Sequence, residues 1–327
     1  MRKLQIGLIC LAVTPALTFA AADPALMAMV MPDAKVIAGA QVRQVANSPF
    51  GSWVLTHLQL DDPEFQKFMA ATGFDPRRDL TELMIAANGS QNDPARWLVL
   101  GRGTFDSSRI RGAAVTMGGT VTTHKGVAMV SIPGKDKSAA ATAVAFPDAS
   151  TAVMGPPDMV EAALDRRQSH APVAGGLAGK VRQLSSVNDF WFSTLVPLSE
   201  FAGSMPDSNI AGALKGNMLA AVQQASGGIK FGAEIVLSAD IVTRTPQDAS
   251  SLVDVVKFLA GLIQTNRKKD TTAEKVSTVL DSLKCSSQGN VMTMSLAIPE
   301  PMIEQMLQSM SGKGKAKKPA PETPPNK

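Results

Sequence analysis

Between residues 36 and 300 two kinds of apolar pattern alternate: short runs leaning to β-branched residues, and longer stretches with apolar side chains every third or fourth position. Val36 to Val45 is of the first kind and predicts a strand, after which Asn47-Ser48-Pro49 supplies a cap and a first-turn proline for a helix from Phe50 to about Leu58. Asp61-Asp62-Pro63-Glu64 repeats that device ahead of Phe65, Phe68 and Met69, which share one helical face, and Gly73 ends the helix. Leu80 to Ala87 and Trp97 to Gly103 read as strands on either side of the turn-forming Asn88-Gly89-Ser90. Val127 to Ile132 is a further strand, and Thr142 to Phe146 pairs with Thr151 to Met154 as a hairpin around Pro147-Asp148-Ala149. Pro156-Pro157-Asp158 opens a helix to about Arg167.

The small-residue stretch from about 169 to 180 predicts a linker between a first unit, 23–168, and a second, 181–311. In the second, Phe190 to Val196 predicts a strand, Lys215 to Gln224 a helix, and Ile229 to Val242 a long strand or bent hairpin. Thr245-Pro246-Gln247-Asp248 starts a helix to about Thr265, since it combines a hydroxyl cap, a proline and an acid that answers free amides. Helices over 272–283 and 301–310 and a strand over Val291 to Ile298 complete the pattern. Met159-Val160-Glu161-Ala162-Ala163-Leu164 and Met302-Ile303-Glu304-Gln305-Met306-Leu307 echo one another, and Val36 to Ser48 more weakly echoes Phe192 to Ser204. The expected fold is therefore α+β: two related units, each an antiparallel sheet with helices packed on one face. Convergence of amphipathic helix starts is the alternative source of the echo.

The stretch Thr72-Gly73-Phe74-Asp75-Pro76-Arg77-Arg78-Asp79-Leu80, with Thr151-Ala152-Val153-Met154-Gly155 leading into a helix, resembles secreted bacterial proteins grouped as a domain of unknown function. In that family a Gly-x-Asp-x-x-x-Asp turn precedes a strand, and an apolar strand, a glycine and a helix recur. The resemblance would span most of residues 25–310 and implies an exported two-part α+β protein with no assigned reaction.

The N-terminus changes the picture of where the protein works. Arg2 and Lys3 precede an apolar run from Leu8 to Phe19, broken by Pro15 and closed by Ala20-Ala21-Ala22, the layout of a cleaved signal peptide over residues 1–22. The run falls short of the ~20 residues a spanning helix needs, which disfavours a retained anchor. A bulky Ile9 before Cys10 disfavours lipidation there, and cleavage leaves Cys285 without a partner cysteine. No later stretch reaches 18 uninterrupted apolar residues, so no transmembrane segment is expected after cleavage, and the protein is expected to be periplasmic or secreted.

Charge then removes one class of partner. The formal +4 owes two charges to the leader and four to a Lys/Pro-rich tail, 312–327, so the segment between them is slightly acidic at −2. No nucleic acid is expected as a partner; the tail reads as a solvated, disordered end able to touch anionic envelope material.

Dedicated chemistry is hard to find. His57, His124 and His170 stand in separate segments with no helical pairing. Cys285 beside Lys284 offers a nucleophile without a base at a recognisable spacing. Gly175-Gly176-Leu177-Ala178-Gly179-Lys180 departs from a phosphate loop at Ala174 and Val181. Asp61, Asp62 and Glu64 are explained as helix-start acids, and Asp75, Arg77, Arg78 and Asp79 as a charged turn that could meet an anionic partner only if it borders a groove. Met27, Met29 and Met31, with Met302, Met306 and Met310, fit core packing or an adaptable apolar cleft.

No catalytic, cofactor-binding or metal residue is assigned, and no cofactor is expected. The leading expectation is a non-catalytic binding protein whose partner is an envelope component or another protein. A carrier of an apolar ligand such as a lipid is the second reading, and a hydrolase the third. A dry cavity of several hundred Å³ lined by Met and Leu would favour the carrier.

Overall fold

The computed structural model describes residues 21–57, 63–89, 96–134, 140–169, 175–197, 220–265 and 277–303. The leader up to residue 20 and the tail lie outside them, as do residues 215–219, 272–276 and 304–310 of the predicted helices over 215–224, 272–283 and 301–310.

The chain is α+β, built on one antiparallel sheet of twelve strands. These are β1 Val36–Ala40, β2 Leu80–Ala87, β3 Trp97–Gly103, β4 Thr120–His124, β5 Val127–Ile132, β6 Thr142–Asp148, β7 Thr151–Gly155, β8 Phe190–Thr194, β9 Val222–Lys230, β10 Glu234–Thr243, β11 Lys284–Gln288 and β12 Val291–Pro299. Their order is β11-β12-β10-β9-β8-β1-β2-β3-β7-β6-β5-β4. The two predicted sheets are thus continuous, because β8 pairs with β1 and joins the halves. From that seam β1-β2-β3 runs outward on one side and β8-β9-β10 on the other. Trp191 marks the seam; it is fully buried opposite Gly39, where a Cβ would lie 2.3 Å from the indole.

Strand alternation divides the sheet into two faces. On the first, Ile37, Met84, Ala86, Leu98, Leu100, Ala143, Ala145 and Val153 are all buried. They pack in one core with α1 (Pro24–Met27), the following Met29 and Met31, α7 (Pro157–Ser169) and α8 (Gly175–Ser185). Met159, Val160, Ala163 and Leu164 of α7 and Leu177, Val181 and Leu184 of α8 recur at helical spacing and point inward. The predicted linker 169–180 therefore ends sooner than expected: from Gly175 the chain is a core helix, since its glycines precede an apolar stripe that the sheet buries.

The second face is covered too, so helices do not keep to one side. Among the described residues the chain also forms α2 (Val42–Asn47), α3 (Pro49–His57), α4 (Pro63–Thr72), α5 (Pro76–Asp79), α6 (Ser107–Thr116) and α9 (Pro246–Thr265), with helical turns over 277–280 and 300–303 inside or beside the predicted helices 272–283 and 301–310. In the second half α9 buries Ala249, Leu252 and Val253 against Val222, Ile241 and Met292. In the first half α4 and α6 pack against each other over the corresponding face. Both faces of a sheet this wide carry apolar residues, and each must be screened from water.

Several predicted elements need correcting. Val42 to Val45 is helical, because Val42 and Val45 lie three apart and are both buried by a turn of helix. Val222 to Gln224 is strand, held between β8 and β10. Lys284 to Gln288, beyond the predicted elements, is edge strand paired with β12.

Candidate functional site

On the second face, between the sheet and the α4/α6 pair, lies a cavity of about 330 Å³. Its floor is Leu83 on β2, Val99 and Gly101 on β3, Val144 on β6, and Ala152 and Met154 on β7. Gly101 and Ala152 are direct cross-strand neighbours, and this pair of small residues among larger ones is what leaves the floor hollow. Ile110 and Ala114 of α6 face it from above. Thr142 is the sole lining residue with a polar side chain, and Met154, at 37% exposure, marks where the cavity meets solvent.

A chain of phenylalanines forms the wall. Phe65 and Phe68 of α4 stack at 6.3 Å, Phe68 meets Phe74 edge-on at 6.5 Å, Phe74 stacks on Phe105 at 5.7 Å, and Phe105 meets Phe146 at 5.5 Å. Offset and edge contacts of this kind add ~1 kcal/mol each to the burial itself. Local geometry aims these rings. Gly73 takes φ +71°, which turns the chain so that Phe74 comes back over the sheet. Thr72 Oγ1 donates to the Phe68 carbonyl at 2.7 Å and accepts from the Phe74 N–H at 3.2 Å. Phe105 is fixed by its N–H to the Ala149 carbonyl at 3.1 Å, just before Asp106 caps α6 by accepting from the Arg109 N–H.

Next to the cavity is a polar cleft of about 160 Å³ lined by Thr72, Gly73, Phe74, Arg78, Asp79, Thr104, Asp106 and Arg109. Phe74 borders both spaces. The charged turn thus does border a groove, but most of its charge is consumed locally. Asp75 caps α5 and pairs with Arg77 at 2.7 Å, and Arg78 pairs with Asp79 at 2.7 Å and donates to the Gly73 carbonyl. These arginine contacts hold the Asp75 and Asp79 carboxyls below the usual range. The Arg109 guanidinium lies against Gly73 and has no hydrogen-bond or ion-pair partner among the described residues.

Other candidate residues are dispersed. His124 contacts Asp165 at 2.7 Å in a surface cluster that also holds Lys125, and this cluster keeps the Asp165 carboxyl low. His57 ends α3, and His170, Asp61 and Asp62 lie outside the described residues. Cys285 packs beneath α9, where burial pushes its thiol up and so reduces its thiolate fraction. Lys180 of the glycine-rich segment pairs with Asp240 at 2.7 Å across a second hollow, of about 260 Å³ and mixed polarity. Among the described residues no three His, Cys, Asp or Glu side chains converge as metal ligands would, and no helix is long and apolar enough to cross a membrane.

Met27, Met29 and Met31 are buried in the core of the first face, and Met306 and Met310 lie outside the described residues; the cavity found here is walled by phenylalanines, with Met154 alone among methionines in its lining. The sequence carries no expectation for Phe105 or α6, and Phe74 enters it only as part of the charged turn. The signals present were the Asp106 cap and the glycines after Met117.

No family model matches the chain, and no curated protein matches it. Among solved structures it is similar to crystal form I of TP0453, at 10% identity and a TM-score of 0.46, covering 89% of this chain and 98% of that one.

Proposed function

We propose that the protein is an exported, non-catalytic binding protein and that the cavity between the α4/α6 pair and the sheet holds an apolar ligand. The observation that carries this reading is the 330 Å³ space itself, with one polar side chain in its lining. It is about twice the ~150 Å³ at which an engineered apolar cavity stays dry and takes benzene. Eight buried methylenes would contribute ~6 kcal/mol before the costs of association, enough for a useful affinity. Export rests on the N-terminal pattern of a basic start, an apolar run and small residues at the cut. The matching outward order of β1-β2-β3 and β8-β9-β10 supports reading the halves as copies of one unit, with the void present in the first.

Native mass spectrometry of protein purified from its own envelope tests the reading. The expected result is a population with added mass that organic extraction removes, on a chain beginning at residues 21–23. Ala152→Leu fills the hollow floor and should lose the adduct while melting no earlier than the parent. A parent spectrum showing bare protein only, together with unchanged stability on addition of aliphatic alcohols, would count against it.

A further inference from the structure

The cavity and the adjoining cleft differ in chemistry and share one wall. Phe74 lines both, so a ligand passing Phe74 would carry its apolar part into the cavity and leave one end in the cleft. The charge in that cleft is almost fully committed. Asp79 accepts from Arg78 and from the Asp75 N–H at 2.8 Å, and Asp106 accepts from the Arg109 N–H at 3.0 Å. Arg78 is bound to Asp79 and Gly73. What remains is the guanidinium of Arg109, projecting from the first turn of α6, whose inner side lines the cavity through Ile110.

We propose, building on the apolar-ligand reading above, that the ligand is a single-chain amphiphile with a carboxylate head of the fatty-acid type, and that Arg109 receives that head. Three features select this chemistry. The volume suits one aliphatic chain, not two. A planar guanidinium with free donors matches a carboxylate in bidentate geometry. The two neighbouring acids disfavour a dianionic head such as a phosphate monoester, because a second negative charge would meet Asp79 and Asp106 without a second free cation.

The test is a fluorescence titration of the full chain with cis-parinaric acid and with its methyl ester, repeated for Arg109→Ala, Arg109→Lys and Ala152→Leu. The acid is expected to bind the parent ~10-fold more tightly than the ester, the effect of one partly exposed charge-assisted contact. Arg109→Ala should bring the acid down to the ester's affinity and leave the ester unchanged, with Arg109→Lys in between. Acid and ester binding equally, both lost in Ala152→Leu, would overturn the assignment of the head and leave the cavity reading standing. Arg109→Ala weakening both probes alike would also overturn it, since the arginine would then act through the fold. Binding of neither probe would remove both readings.

Discussion

Glu82 gives the sharpest test of the core, because the sheet buries it on the wrong side for a charge. It shares the first face with Met84 and Ala86 and is 6% exposed. Its two oxygens accept from one backbone donor, the Asp23 N–H, at 3.2 and 3.3 Å. The nearby cation, Arg102, is committed to the Asp23 carboxylate at 2.7 Å. Burial therefore dominates and pushes the Glu82 carboxyl from an ordinary 4.5 to about 7. Since the folded carboxyl sits above its unfolded value, the folded state holds a proton that the unfolded chain releases between pH 4.5 and 7. The stability due to this group is complete below that window, declines through it, and is level above it. At ~1.4 kcal/mol per pH unit the whole effect is about 3 kcal/mol. Glu82→Gln keeps an acceptor and carries no charge, so its advantage over the parent should grow from near zero at pH 4.5 to about 3 kcal/mol at pH 8.

Urea unfolding of both proteins across that range, with equal m-values as the check on two-state behaviour, measures this difference directly. Asp75, Asp79, Asp148 and Asp165 have lowered carboxyl pKa values and lose stability as pH falls, but they do so in both proteins and cancel. The protein used should retain Ala21 and Ala22, because an ammonium on Asp23 would neutralise Glu82 at the same distance as the present amide. A stability difference that does not vary with pH, or one that favours the parent at pH 8, would refute the reasoning.

Three further outcomes are expected. Gly39→Ala places a methyl group 2.3 Å from the Trp191 indole and should cost about 3 kcal/mol at the seam between the halves, read as a lowered urea midpoint with Trp191 fluorescence shifted. Phe105→Ala removes a ring that is 8% exposed, stacked on Phe74 and tilted against Phe146, and should destabilise by ~3–5 kcal/mol in the same assay while weakening parinaric acid binding. Ala152→Leu adds three carbons to the hollow floor; ~2.4 kcal/mol of burial less up to ~1 kcal/mol of rotamer entropy predicts a gain of about 1.5 kcal/mol, with probe binding abolished.

How much of this was legible in the sequence depends on whether the signal was local. β2, β3 and β5 fall on the residues predicted, and α9 runs from Pro246 to Thr265 as read, because β-branched runs and proline starts are written within a dozen residues. Val42 to Val45 was ambiguous, since a short apolar run has no period of its own. Gln223 to Gly228 carries no β-branched residue at all and is strand only because β8 and β10 bond it from both sides. α6 hid behind two serines, two arginines and a glycine; its cap at Asp106 and its end at Gly118, with φ +88°, were the readable marks. The cavity could not be read locally. It depends on Gly101 and Ala152 being neighbours across strands, and on Phe65, Phe74, Phe105 and Phe146 arriving from four separate segments, which strand order alone decides.

The most direct measurement is a crystal structure of the protein grown with 1-bromodecane, with data collected at the bromine edge. An anomalous peak in contact with Val144, Ala152 and Phe105 is the predicted result. Ordered water in that space, or side chains collapsed to fill it with no bromine bound, would contradict the account.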